Sequence, residues 1–228
     1  MKTPIGPYFP DRDQPKLSFR EERVVRRFHK LYYNRWPKGA DTISISWFGY
    51  LLLKCPLDLW LYQELIVRRR PDYVIETGTL AGGSALYFAM LFDQLEHGHV
   101  ITIDIESKPD RPQHPRITYL TGSSVDKEIT ARGREAVGTW RAMVVLDSDH
   151  RAEHVYDELV AYSPFVQRDD YLIVEDTNIN NHPVVPDFGP GPMEAVDRFL
   201  SQNKDFIIDE RCERFLMTLQ PRGYLRRL

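Results

Sequence analysis

Cysteine is scarce in this sequence, with only Cys55 and Cys212 among 228 residues. Two thiols cannot supply the several cross-links of a disulfide-stapled domain, and they do not form the CxxC spacing that binds zinc. Thiols that lie far apart in sequence are typical of buried cysteines in a reducing compartment. The sequence therefore argues against both a disulfide scaffold and a cysteine zinc site.

Long apolar runs and an excess of positive charge are also missing. No window approaches the ~20 apolar residues of a membrane-spanning helix, and residues 1–16 lack the apolar core of a secretory leader. The net charge of −3 offers no basic excess for nucleic acid. These features predict a soluble, cytoplasmic protein with no nucleic-acid partner and no transmembrane segment.

From Tyr73 onward, short β-prone segments alternate with helical segments, which is typical of a parallel sheet with helices on both faces. The predicted strands are Tyr73–Glu76, Val100–Ile103, Ile117–Thr121, Ala142–Leu146, Tyr171–Val174, Phe206–Asp209 and Phe215–Leu219. The predicted helices are Phe19–Asn34, Leu59–Arg70, Ser84–Leu95, Lys127–Arg134, Glu153–Tyr162 and Glu194–Gln202. The sequence thus predicts an α/β fold with a mostly parallel seven-stranded sheet.

Residues 1–57 differ in character from residues 58–228, and we expect them to form an N-terminal arm and helix ahead of the α/β domain. Proline and polar residues dominate 1–17, which predicts an extended arm. The aromatic residues within 35–57 either line a pocket or cover the sheet edge. The arm and its helix could mediate self-association, so a homo-oligomer is expected.

The stretch YVIETGTLAGGS, from Tyr73 to Ser84, passes from a strand through a glycine turn into a helix, as in nucleotide-binding βα units. Its pattern is E-x-G-x-x-x-G-G-S rather than the GxGxxG of dinucleotide-binding proteins. Glu76 would repel a pyrophosphate but attract an amine, which favours S-adenosylmethionine over NAD. The alternative is a plain turn in which the glycines serve only backbone geometry. The candidate cofactor residues here are Glu76, Gly78, Thr79, Gly82 and Ser84.

Polar residues also end the next predicted strands, and ligands of open parallel sheets bind at the carboxyl ends of the strands. Asp104 ends the second strand, at a distance from the glycine turn typical of an acid that binds ribose hydroxyls. Ser123 and Ser124 follow the third strand, where they could meet the adenine edge. A helix cap is an equally good interpretation for one of these serines.

Three acids end the following two strands, with Asp147 after the fourth and Glu175 and Asp176 after the fifth. Converging carboxylates repel each other unless a cation neutralises them, and oxygen ligands of this kind suit Mg²⁺ or Mn²⁺. Asp147 is a candidate cofactor residue as well as a candidate metal ligand. Asp149 competes with Asp147 as a ligand, and capping of the following helices and loops is the alternative interpretation of the set.

His150 follows Asp147 by three residues, on the turn just past the predicted metal. Because imidazole titrates near neutral pH, His150 could take a proton from a metal-bound hydroxyl as a general base. A long polar loop, Thr177 to Pro192, comes directly after the metal acids, and such loops are often lids or substrate loops. A surface connection is the alternative. Its candidate substrate contacts are Asn178, Asn180, His182 and Asp187.

Five segments together resemble the cephalosporin hydroxylase family, which includes rhamnosyl O-methyltransferases. They are ETGTLAGGSA, VITIDIE, VVLDSDH, YLIVEDTNIN and FGPGPMEAV, and the resemblance runs from about Leu53 to Leu228. It implies a Rossmann-like class I methyltransferase fold, S-adenosylmethionine as the cofactor and a divalent metal ion.

The order of Asp147, His150 and the pair Glu175–Asp176 is also similar to that of metal-dependent sugar O-methyltransferases of macrolide biosynthesis. In those enzymes the first acid and the acidic pair hold Mg²⁺, and the histidine is the general base. Catechol-type enzymes instead have a lysine at the histidine position and often an asparagine at the end of the pair. The resemblance therefore implies methylation of a sugar hydroxyl on a glycolipid, polysaccharide or glycosylated natural product.

Two other functions remain open at this point. An oxygenase acting on a secondary metabolite is suggested by the family name, but the sequence shows no two-histidine, one-carboxylate set suited to non-haem iron. A non-catalytic partner protein could keep the S-adenosylmethionine site without turnover. The intact acids and His150 count against that reading.

Overall fold

The computed structural model describes residues 16–35 and 45–228. Helix α1 (Phe19–Arg35) precedes a hairpin of β1 (Ser46–Trp47) and β2 (Tyr50–Leu51). The remaining elements are α2 (Pro56–Arg69), β3 (Tyr73–Thr77), α3 (Gly83–Leu95), β4 (His99–Asp104), β5 (Ile117–Thr121), α4 (Lys127–Val137), β6 (Ala142–Leu146), α5 (Ala152–Tyr162), β7 (Tyr171–Val174), α6 (Pro192–Gln202), β8 (Phe206–Ile208) and β9 (Tyr224–Arg227). Most of the arm predicted over 1–17 lies outside the described residues.

Seven of the strands form one sheet in the order β5-β4-β3-β6-β7-β9-β8, which confirms the predicted α/β fold and its mostly parallel sheet. Strands β3 to β7 pair in parallel, and β9 runs antiparallel to both of its neighbours. The chain leaves β3 on one side through β4 and β5 and returns on the other side at β6. The ends of β3 and β6 therefore border the switch point at which open α/β sheets bind ligands.

Apolar clusters cover both faces of this sheet. One face buries Leu61, Tyr62 and Phe88 of α2 and α3 against the strands. The other face buries Leu159 and Phe199 of α5 and α6. Both faces are thus covered, as is typical of a parallel sheet. Because side chains on both faces are buried, the sequences of the strands are nearly continuous apolar runs.

The predicted strand over Phe215–Leu219 is wrong, and the last strand is β9 instead. Leu216 has a positive φ of 66°, which breaks an extended run. Leu219 donates its N–H to the side chain of Asp58 at 2.9 Å rather than to a neighbouring strand. Met217 and Leu219 of this segment pack in a small cluster with Cys55, so their apolar character reflects local burial.

The aromatic stretch ahead of α2 covers a helix rather than the sheet edge where the structure describes it. Trp47 packs against Tyr87 of α3 with ring centroids 5.1 Å apart and donates its indole N–H to Met90 Sδ at 3.2 Å. The backbone of the hairpin also crosses closely over the start of α3, since a Cβ on Gly83 would meet Leu51 O at 2.2 Å. Trp36 lies outside the described residues.

None of the helices in residues 16–35 and 45–228 combines the length and the apolar character that crossing a bilayer requires.

Asp58 connects α2 to the C-terminal segment, and we predict that its loss destabilises the fold. Its buried carboxylate accepts the Leu219 N–H and the Tyr224 hydroxyl, each at 2.9 Å. Asp58→Ala leaves two buried donors unpaired and should lower the free energy of unfolding by about 2–4 kcal/mol. Tyr224→Phe removes one donor together with its hydroxyl and should cost about 1 kcal/mol. Urea unfolding of both variants measures this order, and equal stabilities would contradict it.

Candidate active site

A cleft of about 440 Å³ opens at the carboxyl ends of β3, β4, β5 and β6, where the strand-end residues were predicted to meet. Five of the predicted cofactor residues line it: Gly78, Asp104, Ser123, Ser124 and Asp147. The predicted metal and base residues Asp149, His150 and Asp176 line the same cleft. Its size is that of an ordinary small-molecule site. Glu76, Thr79 and Ser84 are buried beside it.

Gly78 is required by the fold itself. Its φ of +84° is the left-handed region, and a Cβ there would meet Asp147 O at 1.9 Å. Gly82 also has a positive φ, and a Cβ there would meet Pro112 Cδ at 2.8 Å. The fold therefore requires glycine at both positions, and the cofactor contact predicted for each of them stays a prediction. The close contact at Gly78 also holds Asp147 against the end of β3.

Glu76 indicates a ligand more directly than the two glycines do, because one of its buried oxygens is unpaired. Its Oε2 accepts the Thr102 hydroxyl at 2.8 Å, and Thr102 in turn lies 2.7 Å from the hydroxyl of Thr79. Among the described residues, Oε1 has no hydrogen-bond partner. Burial raises the pKa of Glu76 to about 7, against the attraction of Lys54. An unpaired buried carboxylate oxygen suits a cationic ligand group.

Asp104 is held in a fixed orientation by three donors. Its Oδ2 accepts the Leu80 N–H and the Arg111 guanidinium, both at 2.9 Å, and its Oδ1 accepts the Glu106 N–H at 2.9 Å. A carboxylate offers about four acceptor positions, so about one is left for a ligand hydroxyl. Sequence reasoning missed Arg111, which lies in a turn of ordinary polar composition.

The acids after β6 and β7 converge as predicted, because the two strands pair side by side. Asp147, His150 and Asp176 each place a ligand atom within 4.8 Å of the other two. The Nε2 of His150 lies 3.2 Å from Asp176 Oδ2. Burial raises the pKa of both carboxyls, which a bound cation would offset. The two carboxylates suit a divalent ion, and the imidazole of His150 lies beside them as the candidate base.

Glu175 contacts Lys54 and Tyr62 instead of joining the group of Asp147, His150 and Asp176. Its Oε1 accepts hydrogen bonds from the Lys54 ammonium and from the Tyr62 hydroxyl, the latter at 2.6 Å. Glu175 is not a member of the group formed by Asp147, His150 and Asp176. Its assignment as a metal ligand stays a prediction.

Sequence reasoning also missed Lys54, which lies 2.7 Å from Asp147 Oδ2 and contacts Glu175. Its side chain is only 2% exposed. Burial alone would lower the pKa of Lys54, but the charges of Asp147 and Glu175 outweigh burial and raise it. The sequence feature that could have indicated it is a single lysine inside the apolar run LLLKCPL. A lysine in such a run is expected to be buried, and buried lysines are rare unless they are paired.

Asp149, the predicted competitor of Asp147, is engaged by its neighbour Arg151. The guanidinium donates to both carboxylate oxygens of Asp149, with Nε at 3.0 and 2.9 Å. These bonds lower the pKa of Asp149 to about 2. Asp149 is not a member of the metal-capable group.

Beside Ser124, a partly buried polar network fixes the turn that holds the acids. The Nε2 of His154 lies 3.1 Å from the hydroxyls of both Ser124 and Ser148, and Ser148 donates to the buried Glu158 at 2.7 Å. Ser148 stands between Asp147 and Asp149 in the chain. The network therefore ties the metal turn to α5.

The predicted substrate-loop residues make contacts inside the protein. Asn178 is buried and lies 2.9 Å from His29 of α1, while Asn180 and His182 bind Glu194 of α6 at 3.0 and 2.8 Å. Asp187 is exposed. None of the four lines the cleft, and acceptor binding by this loop stays a prediction.

Comparison with known protein families matches residues 41–228 to a family described as rhamnosyl O-methyltransferase/CmcI. A rhamnosyl O-methyltransferase of Mycobacterium tuberculosis is 36% identical over 214 residues, which cover 90% of this chain and 85% of that protein. The Mycobacterium leprae protein of the same name is 33% identical over 211 residues, or 90% of each chain.

Solved structures show the same fold. A structure of CmcI with Mg and SAM has a TM-score of 0.63 at 20% identity and covers 96% of this chain and 88% of that one. A sugar O-methyltransferase of calicheamicin biosynthesis, CalS11, gives a TM-score of 0.51 at 15% identity and covers 75% and 78%. Together with the strand order, these matches confirm the predicted class I methyltransferase fold. The match over residues 41–228 and the identity to the mycobacterial proteins show that the chain belongs to the rhamnosyl O-methyltransferase/CmcI family.

Proposed function

We propose that this protein is an S-adenosylmethionine-dependent, metal-dependent O-methyltransferase that methylates a hydroxyl of a sugar. The observation that carries the proposal is the grouping of Asp147, His150 and Asp176 at the edge of the cofactor-sized cleft. The names of the mycobacterial relatives support a rhamnosyl acceptor. Its place on a glycolipid, polysaccharide or glycosylated natural product stays a prediction.

Residues in and beside the cleft suit the separate parts of S-adenosylmethionine. Glu76 offers its unpaired buried oxygen to the ammonium of the methionine part. Asp104, fixed by Arg111 and two backbone N–H groups, offers its remaining acceptor to a ribose hydroxyl. Ser123 and Ser124 line the end of the cleft where an adenine edge would lie.

Asp147 and Asp176 would hold the divalent ion, Mg²⁺ or Mn²⁺, with Glu175 as the third acid of the predicted set. When bound, S-adenosylmethionine supplies an electrophilic methyl group, and the ion supplies a Lewis acid that lowers the pKa of the acceptor hydroxyl. His150, beside Asp176, takes the proton of that hydroxyl at Nε2. The fixed cleft aligns the acceptor oxygen with the methyl group, which is the main source of rate in such a transfer.

The oxygenase alternative is disfavoured by the donor set. Non-haem iron oxygenases use two histidines and one carboxylate. The metal-capable group found in residues 16–35 and 45–228 has one histidine and two carboxylates. The non-catalytic alternative is tested by the His150 variant below.

Two further predictions accompany this function. We expect the protein to form a homo-oligomer, which the exposed apolar side chains Val24, Phe28 and Leu31 on α1 support. The cytoplasmic location also stays a prediction.

Asp147→Ala should abolish metal-dependent methyl transfer, because it removes a carboxylate from the ion, while S-adenosylmethionine still binds. Activity with and without EDTA, together with calorimetric titration of S-adenosylmethionine, measures both effects. Asp149→Ala is the matched control, since Asp149 is engaged by Arg151. If Asp147→Ala kept its activity and Asp149→Ala lost it, the ligand assignment would move to Asp149.

His150→Gln should lower kcat by about 10²–10⁴-fold, because it removes the general base. The affinities for the ion and for S-adenosylmethionine should change little. The matched control is His114→Gln, since His114 pairs with Asp93 outside the cleft. Turnover is measured with a rhamnosyl acceptor. An unchanged kcat in His150→Gln would exclude the proposed base.

The affinity for S-adenosylmethionine should fall as pH falls through the pKa of Glu76, about 7. Protonation removes the negative charge that attracts the ligand ammonium, so the stabilisation is present above this pKa and lost below it. The Kd of the wild-type protein should rise up to about tenfold between about pH 8 and about pH 6, while Glu76→Gln binds weakly throughout. Parallel pH dependence in the two proteins would contradict the assignment of Glu76.

A further inference from the structure

Lys54 is a buried cation at the place where the acids converge. Its ammonium lies 2.7 Å from Asp147 Oδ2 and also contacts Glu175 Oε1, and its side chain is 2% exposed. Leu52, two residues before it, and Cys55, directly after it, are buried as well. The position is fixed by packing, so Lys54 is unlike a surface lysine that moves freely in solvent.

Glu175 is held away from the metal-capable group by two donors. Besides Lys54, the buried Tyr62 hydroxyl donates to Glu175 Oε1 at 2.6 Å, and Gln220 Nε2 donates to Tyr62 at 2.8 Å. The chain from Gln220 through Tyr62 to Glu175 therefore supports the lysine contact from behind. Asp147 is shared between this network and the cleft.

The net charge of the metal site indicates the role of Lys54. The three ionised acids Asp147, Glu175 and Asp176 together carry three negative charges, and a divalent ion neutralises two of them. The remaining charge would be buried without compensation, which is costly in a low-dielectric site. Lys54 supplies one positive charge, so the loaded site is neutral.

We propose that Lys54 is a built-in counter-ion of the metal site, a positioning residue that holds Glu175 and one oxygen of Asp147 and thereby weakens the binding of the divalent ion. This inference rests on the proposed function, because it requires an ion at Asp147 and Asp176. The lysine competes with the ion for Asp147 and repels it by charge. Its presence makes the bound ion exchangeable.

Removal of the Lys54 charge should increase the affinity of the site for the divalent ion. In Lys54→Met the side chain keeps most of its length but loses its charge, so Glu175 and Asp147 turn to the ion. The Kd for Mn²⁺, measured by calorimetric titration without S-adenosylmethionine at mildly alkaline pH, should fall about tenfold or more. Damage to the fold would weaken metal binding, so tighter binding distinguishes the proposal from a merely structural role.

The matched control is Lys108→Met, which removes a positive charge from the wall of the same cleft. Lys108 is partly exposed and pairs with Glu106 at 3.4 Å, so solvent screens it. Its Mn²⁺ affinity should stay within about twofold of the wild-type value. A second variant, Lys54→Gln, keeps a hydrogen-bond donor without the charge and should also bind Mn²⁺ more tightly. It replaces Lys54→Met in the comparison if the methionine variant does not fold.

Thermal unfolding gives a second readout. In EDTA, Lys54→Met should have a lower melting temperature than the wild-type protein, because its buried acids are uncompensated. Adding Mn²⁺ should raise the melting temperature of Lys54→Met by more than it raises that of the wild type. Equal or weaker Mn²⁺ binding by both Lys54 variants, with the wild type binding normally, would overturn the counter-ion role alone. Absence of Mn²⁺ binding in the wild type and in every variant would overturn the proposed metal site, and the counter-ion role with it.

Discussion

The central constraint in this structure is negative charge buried at the ends of adjacent parallel strands. Glu76 lies one residue before the end of β3, Asp147 follows β6, and Glu175 and Asp176 follow β7. Because β3, β6 and β7 are neighbours, these carboxyls meet in one place, where burial raises the pKa of each. Such a cluster is stable only with cations beside it. Lys54 is one, and the ligands proposed here, a divalent ion and the ammonium of S-adenosylmethionine, are the others.

The rest of the fold keeps this cluster in position. The backbone of Gly78 approaches that of Asp147 so closely that no side chain fits between them. Ser148 and His154 bind the turn after β6 to α5, and Tyr62 of α2 supports Glu175 from below the cleft. The contacts of Ser148 and Glu175 each join a loop residue to a helix, which is how a catalytic group is kept in one orientation.

Much of this arrangement could be predicted from the sequence, because the parallel strands are apolar runs that end in acids. The polar residues after five predicted strands include most of those that line the cleft. The pairing of neighbouring strands explains why Asp147 and Asp176 lie together. Lys54 was missed because its role arises from contacts across 93 and 121 residues of the chain. Arg111 was missed because it lies in a turn of ordinary polar composition, although its partner Asp104 is only seven residues away. The error at Phe215–Leu219 has a related cause, since Met217 and Leu219 pack on Cys55 while the Leu219 N–H binds the side chain of Asp58.

The most direct test of the account is a crystal structure grown with S-adenosylhomocysteine and Mn²⁺, in which the anomalous signal of manganese locates the ion. The account predicts one strong peak between the carboxylates of Asp147 and Asp176, beside the sulfur of a cofactor whose ribose meets Asp104. A cofactor in the cleft with no manganese at these two carboxylates, or manganese bound elsewhere in the chain, would contradict it.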